Sequence, residues 1–287
     1  MSDTNVLLAY PNRADESTLT GGSWSAGLPL ANLLDRRIRR VARSSDLAPA
    51  STQFTVALPK LRPIRVLLIV GHTLSVSARY RITWADDDGF GAGMGSTGWQ
   101  AVWPRMFATS ELNWEDDNFW LGTLSSEDAE GYPATLRCVL PTAIYKRYWK
   151  FEVIDTGNAA GYVDLGRLFL GDGWQPAWNL SYGGSIGWED KTSVSESFGG
   201  EEYFGDQPRY RVMRFRLQSL NQDEWRRVFE MQRQLGVAGE LFVSYDGVTE
   251  NIDMLRKSFL GRLRQLSPIE HPYPANHSIA FEIKEIR

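Results

Sequence analysis

One cysteine, three histidines and no apolar run long enough to cross a bilayer set the first limits on this chain of 287 residues. A lone Cys138 excludes an intrachain disulfide, and with it the stapled frameworks of small secreted domains. Its neighbours Leu136, Val139 and Leu140 predict a small buried hydrophobe rather than a nucleophile. His72, His271 and His277 form no H-x-x-x-H or H-E-x-x-H pair, and C-x-x-C is impossible, so zinc-ligand spacing is absent. The longest clean apolar run, Val66–Val70, is far too short for a transmembrane helix. Met1–Ser2–Asp3–Thr4–Asn5 carries no basic stretch leading into an apolar one, so the sequence predicts a soluble protein without an N-terminal export signal. Positive charge is not in excess either. The net charge is −4, which gives no basic footprint for nucleic acid. Arg36–Arg37–Ile38–Arg39–Arg40 is the exception. Its apolar flanks Leu33, Leu34 and Val41 make it a solvated edge or a contact for an acidic partner.

Catalytic motifs are equally thin. Gly93–Met94–Gly95–Ser96–Thr97–Gly98 matches G-x-G-x-x-G, but that loop cradles a pyrophosphate only when it opens a helix. Here Trp99–Trp103 and then Pro104 follow, leaving no room for one. Asp86, Asp87 and Asp88 could offer oxygens to calcium, yet three acids at a strand end before Gly89 fit a solvated turn. Glu115, Asp116 and Asp117 could supply a glycosidase carboxylate pair, which requires two carboxyls facing each other across a cleft. No cofactor and no metal ligand set is predicted, and no catalytic residue is assigned.

Aromatic residues are what the chain has in excess: 12% of the total, with 11 tryptophans. Such side chains favour strands, cores and interfaces. Strand patterns dominate. Phe54, Val56 and Leu58 alternate with polar positions, as do Tyr80, Ile82 and Trp84, and Trp149, Phe151 and Val153. Val66–Val70 is apolar throughout and reads as a strand buried on both faces. With Tyr162–Leu170, these predict an antiparallel β-sandwich over residues 1–171. An insertion at 86–134 interrupts it, first glycine-rich and then aromatic. Trp99, Trp103, Trp114, Trp120 and Tyr132 within it form either a ligand- or partner-binding face or a small satellite core.

After Gly171–Asp172–Gly173 the pattern changes, and residues 172–287 read as an α+β domain with one helix laid on a sheet. Arg209–Leu220 is a long strand whose apolar positions change phase, predicting a bulge near 212–213. Asn221 and Glu224 stand in capping-box positions. Trp225, Val228, Phe229, Gln232 and Leu235 share the predicted helix face, and Gly236 stops it. Strands over Leu241–Tyr245 and Ile279–Ile283 complete the domain. The stretch 181–204, with Tyr182, Ile186, Trp188, Phe198 and Tyr203, reads as a Gly- and aromatic-rich arm reaching a neighbouring copy.

Two stretches carry a family resemblance. Leu30–Asp35, Val41–Ser44, Thr52–Leu58 and Arg62–Leu74 follow the order of an N-L-L segment, an A-R-S segment, a strand, and an R-P-I…G-H-x-L strand. This resembles the discoidin-like, galactose-binding-type β-sandwich (jelly-roll) modules of phage tail and tail-fibre proteins. Gly171–Asn179, Ser197–Tyr203, Pro208–Arg211 and Gly261–Ile269 are similar to the C-terminal part of minor tail proteins of long-tailed phages. The resemblance implies a bacteriophage distal tail (baseplate) protein: a virion structural protein at the tail tip, made in the host cytoplasm. It further implies a homo-oligomeric ring that holds other phage tail proteins (tube, hub, fibre). Two alternatives accompany that reading, a carbohydrate-binding adhesin contacting a host glycan and a tail-associated glycoside hydrolase.

Overall fold

A computed structural model describes residues 4–116, 118–123, 125, 127, 130–247, 253–273 and 275–287. In chain order the strands are β1 (Leu7–Tyr10), β2 (Thr18–Thr20), β3 (Ala42–Arg43), β4 (Phe54–His72), β5 (Arg79–Ala85), β6 (Gly95–Ser96), β7 (Gln100–Ala101), β8 (Thr135–Ile154) and β9 (Asp164–Trp174). They continue with β10 (Ser185–Glu189), β11 (Ser193–Glu196), β12 (Glu202–Gly205), β13 (Tyr210–Leu220), β14 (Glu240–Ser244), β15 (Ser258–Leu263), β16 (Glu270–Tyr273) and β17 (Asn276–Glu285). Helix α1 spans Gln222–Leu235. The protein is mainly β and divides into two compact units, a sandwich and an α+β unit.

The first unit comprises residues 12–173 with 253–256. Its frame is the long antiparallel pair β4 and β8, whose register slips between Ala57 and Arg62 and again between Ile64 and Val66. Pro59, Pro63 and Pro141 sit at this corner, where a residue without an N–H cannot extend a ladder. Each strand therefore serves two sheets. The halves Phe54–Ala57 and Tyr148–Ile154 pair with each other and then with β2 and β5. The halves Val66–His72 and Thr135–Val139 pair with each other, and β4 then takes β9, which takes β3. Phe54, Val56, Leu67, Ile69, Leu136 and Phe151 fill the core between the sheets. Phe54 and Phe151, opposite in register, stack at 4.9 Å. Ile64 to Val70 is buried at every position, so this strand is covered on both faces as its unbroken apolar run predicted.

The glycine-rich half of the predicted insertion is not a free loop. β6 and β7 pair with β5 and extend its sheet. A Cβ on Gly95 would stand 2.4 Å from the Trp84 indole, so only glycine lets that edge strand lie against the ring.

The second unit comprises residues 4–11, 174–247 and 257–287. Its strand order is β10-β13-β17-β15-β14-β1. The predicted division at 171/172 assigns the first residues to the sandwich, but β1 pairs with β14, Leu7 opposite Ser244. Pairing partners far apart in sequence leave no local signal, which is why the pattern missed it. Helix α1 lays Val228, Met231 and Leu235 against Met213, Phe215, Leu217, Ile279, Phe281 and Ile283. Each such side chain contributes about 1.5–3 kcal/mol of burial. The cap is as expected: Asn221 Oδ1 accepts from the Asp223 and Glu224 amides, and Glu224 Oε2 accepts from the Asn221 amide, all at 3.0 Å. Gly236 closes the helix with φ 53°.

Two details differ from the sequence reading. Phe229 is exposed and Met231 takes its place on the buried face. The register of β13 against β17 runs unbroken through 212–213 and slips between Leu217 and Leu220 instead. The mixed phase at Tyr210–Met213 arises because all four residues are buried. Arg211 is among them and is charge-paired with Glu285.

Candidate functional site

The five aromatic residues singled out in the insertion differ in burial and in what they touch. Trp103 belongs to the sandwich: it packs on the core, donates Nε1–H to the Leu74 carbonyl at 3.2 Å, and meets His72 edge-on at 5.6 Å. Trp99 is half-buried beneath the Arg81 guanidinium, 4.7 Å above its ring. Arg81 is itself forked onto Glu152 at 2.7 and 2.9 Å. Burial pushes Glu152 up, but Arg81 and Lys150 outweigh it and hold the carboxyl below its usual range. Tyr132 is half-buried.

Trp114 and Trp120 are different, being 77% and 84% exposed. They stand on a segment tied to itself by its own backbone. Met106 and Phe107 donate to the Gly122 carbonyl at 2.7 and 2.9 Å, and Gly122 donates to Asn118 at 2.7 Å. Buried Asn118 returns a side-chain bond to the Thr123 carbonyl at 2.6 Å. Gly122 has φ +61°, and a Cβ there would fall 2.5 Å from the Phe107 carbonyl, so glycine is required for the closure. Phe119 meets Trp120 edge-to-face at 5.1 Å. Two indoles are thus displayed to solvent on a loop closed by these hydrogen bonds.

Three of the candidate acids, Asp86, Asp87 and Asp116, have local partners. Asp87 accepts from the Gly91 and Ala92 amides, and these bonds hold its carboxyl below the usual range. Asp86 pairs with Lys146 at 2.6 Å. Asp116 accepts from the Asn113 amide at 2.8 Å, while Asp117 lies outside the described residues. Among the described residues, no group of three His, Cys, Asp or Glu side chains converges as a metal site would. Asp35 takes up Arg37 and Arg40 at 2.7 and 3.0 Å, so part of the basic run is neutralised within its own turn. Cys138 is buried in the sandwich core. No helix among the described residues is long and apolar enough to cross a membrane.

In the second unit, Ile186 and Trp188 lie on the edge strand β10, with Arg287 5.4 Å over the Trp188 ring. Tyr203 is on β12, which pairs only with β11 among the described strands, and Phe198 is in the turn joining them. Tyr182 and Phe198 are fully exposed. Sequence spacing did not single out a histidine pair that the fold creates. His271 on β16 and His277 on β17 meet through their Nδ1 atoms at 2.6 Å, and His277 Nε2 contacts Gln222 at 3.2 Å. The only local signal for it is the Pro-rich turn between them. Burial, then the His271 charge, push His277 below its usual range.

No family model and no curated protein matches the chain. Solved structures do resemble it. One is the family 32 carbohydrate-binding module of Clostridium perfringens NanJ in complex with galactose, 15% identical, with TM-score 0.37 over 57% of this chain and 98% of that one. Another is the lectin-binding domain of Lectinolysin complexed with Lewis b, 13% identical, with TM-score 0.36 over 56% of this chain and 96% of that one. A third is a family 32 module from a family 31 glycoside hydrolase of Clostridium perfringens, 15% identical, with TM-score 0.34 over 56% and 98%. At such identities no ligand-contacting residue carries across.

Proposed function

We propose that this chain is a non-catalytic binding protein that holds carbohydrate through its aromatic excursion, with Trp114 and Trp120 as the contact rings. The observation that carries this reading is that both indoles are turned to solvent on a loop closed by its own hydrogen bonds. An exposed ring offers a flat apolar face to the C–H side of a sugar, and the surrounding loop supplies polar partners for its hydroxyls. A preformed loop also lowers the ordering cost of binding. The test is a printed glycan array probed with the whole protein. Trp114→Ala and Trp120→Ala each lose about tenfold or more of the signal, while far-ultraviolet circular dichroism stays unchanged. An array on which no glycan loses signal in either variant refutes the reading.

A second reading, a structural component of a bacteriophage tail tip, draws on the arm. The hairpin of β11 and β12 is exposed at every strand position, and Val194, Phe198, Tyr203 and Phe204 face solvent. Isolated two-stranded hairpins are marginal in water, and clustered exposed aromatics mark contact surfaces. In this reading the arm contacts another copy in a ring and the ring holds neighbouring tail proteins. Light scattering with negative-stain images is the measurement. A closed oligomer lost on deleting the hairpin supports it, and a monomer that stays monomeric with the other tail proteins added refutes it.

A further inference from the structure

The face of the C-terminal sheet opposite helix α1 carries a feature that neither reading uses. Strand alternation puts Met213, Phe215 and Leu217 under the helix and Arg214, Arg216 and Gln218 on the other side. Ala280 on β17 lies opposite Arg216 and leaves a depression between long side chains. A groove of about 300 Å³ runs over it, walled by Tyr182 and bordered by Gln265 and Ser267. A second groove of about 510 Å³ shares Tyr182 and continues past Ser219 and Gln218 to Trp178, which is 71% exposed. Each has room for on the order of ten water molecules or more.

The wall bearing Trp178 is fixed. Asn5 Nδ2 donates to the Pro176 carbonyl at 2.9 Å, Gln175 Nε2 to the Asn5 carbonyl at 2.8 Å, and the Ala177 amide to Glu224 at 2.7 Å. Asn179 Oδ1 accepts from the Val6 amide at 3.0 Å. The backbone on either side of Trp178 is thus held in place while its ring remains in solvent. Trp178 and Tyr182, both exposed, border the same groove, and this pairing rather than either ring by itself marks a contact surface.

The chemistry of the groove selects among ligands. Beside the groove β17 covers one edge of β13. On the other edge β10 pairs it from Tyr210 to Arg214, and the Ser181 amide donates to the Arg216 carbonyl at 2.9 Å. Only the few residues after Arg216 are left for an added peptide strand, too few for a ladder. Arg214 is answered by Glu189 and Glu282 at 3.0 and 2.8 Å, and Arg216 is paired with Glu270. A polyanion would meet carboxylates at each arginine. What remains is two aromatic faces with amides and hydroxyls between them, which suits a ligand with apolar faces and a hydroxyl rim.

The geometry points to a second binding site, for a linear neutral oligosaccharide, running from Trp178 past Tyr182 and over Ala280. It uses nothing from the excursion at Trp114 and Trp120. The experiment is an array of neutral glycans of four or more sugars, with heparin and polysialic acid as anionic probes. It is read with the whole protein and with a Trp114→Ala/Trp120→Ala variant. The doubly substituted protein keeps binding to at least one neutral glycan, and Trp178→Ala or Tyr182→Ala weakens that binding about tenfold. Ala280→Gln, which fills the groove floor and leaves both rings in place, weakens it as well. Circular dichroism confirms that each variant folds. Failure to retain any neutral glycan once Trp114 and Trp120 are removed overturns this site and leaves the excursion untouched. Retention unaffected by Trp178→Ala and Ala280→Gln, or retention of the anionic probes alone, also overturns it.

Discussion

His72 gives the sharpest handle on stability. It ends β4 inside the sandwich, is buried, and accepts the Leu74 amide on Nδ1 at 3.2 Å. Its Nε2 is buried with no hydrogen-bond partner, beside the Trp103 ring. Burial penalises the imidazolium and lowers the pKa from 6.5 to about 4, against a weaker opposing pull from Asp155. The unfolded chain therefore takes up this proton first as pH falls, and stability drops between about pH 6.5 and pH 4. One proton corresponds to about 1.36 kcal/mol per pH unit, so going from pH 7 to about pH 4.5 removes about 2.5 kcal/mol through this residue alone. His72→Asn keeps an acceptor for the Leu74 amide but cannot titrate. Urea denaturation of both proteins at a series of pH values isolates the residue. The variant starts lower at pH 7, and the gap between the two closes by about 2.5 kcal/mol by pH 4.5. Parallel stability curves would refute the argument.

The division of the excursion into core and display predicts opposite outcomes for two tryptophans. Trp103→Ala costs about 2–4 kcal/mol in urea denaturation, because it empties space against the core and removes the bond to Leu74. Trp120→Ala changes stability by about 0.5 kcal/mol or less, as expected for an exposed side chain. Arg211 and Glu285 form a buried pair, so Arg211→Ala leaves the buried carboxylate with the more distant Arg287, at 3.5 Å, and costs about 3–5 kcal/mol. The doubly apolar Arg211→Met/Glu285→Leu recovers part of that loss in the same assay, since both buried charges are removed together and Arg287, which also pairs with Glu285, can turn to solvent.

Much of the fold was legible because its causes are local. Alternating apolar residues marked β4, β5, β8 and β17, since a strand repeats its facing every second residue. Asn221, Glu224 and Gly236 marked both ends of α1 because capping bonds span only a few residues. Other features needed the folded chain. Phe229 and Met231 both lie near the edge of the apolar stripe, and contact with β13 and β17 decided which was buried. The early strand β1 joined the distant β14, for which no short-range pattern exists. The binding surfaces divide in the same way. The density of aromatic residues in the excursion was visible, yet their roles were not.

The sequence by itself determined a mainly β chain with one capped helix, a single cysteine in a core strand and two regions rich in aromatic residues. Tertiary structure alone decided that Trp103 is core while Trp114 and Trp120 face water, that His271 and His277 touch, and that Trp178 and Tyr182 border one groove. The physical reason is that periodicity and capping act over a few residues. Whether a ring is buried depends instead on which surfaces distant segments bring to it.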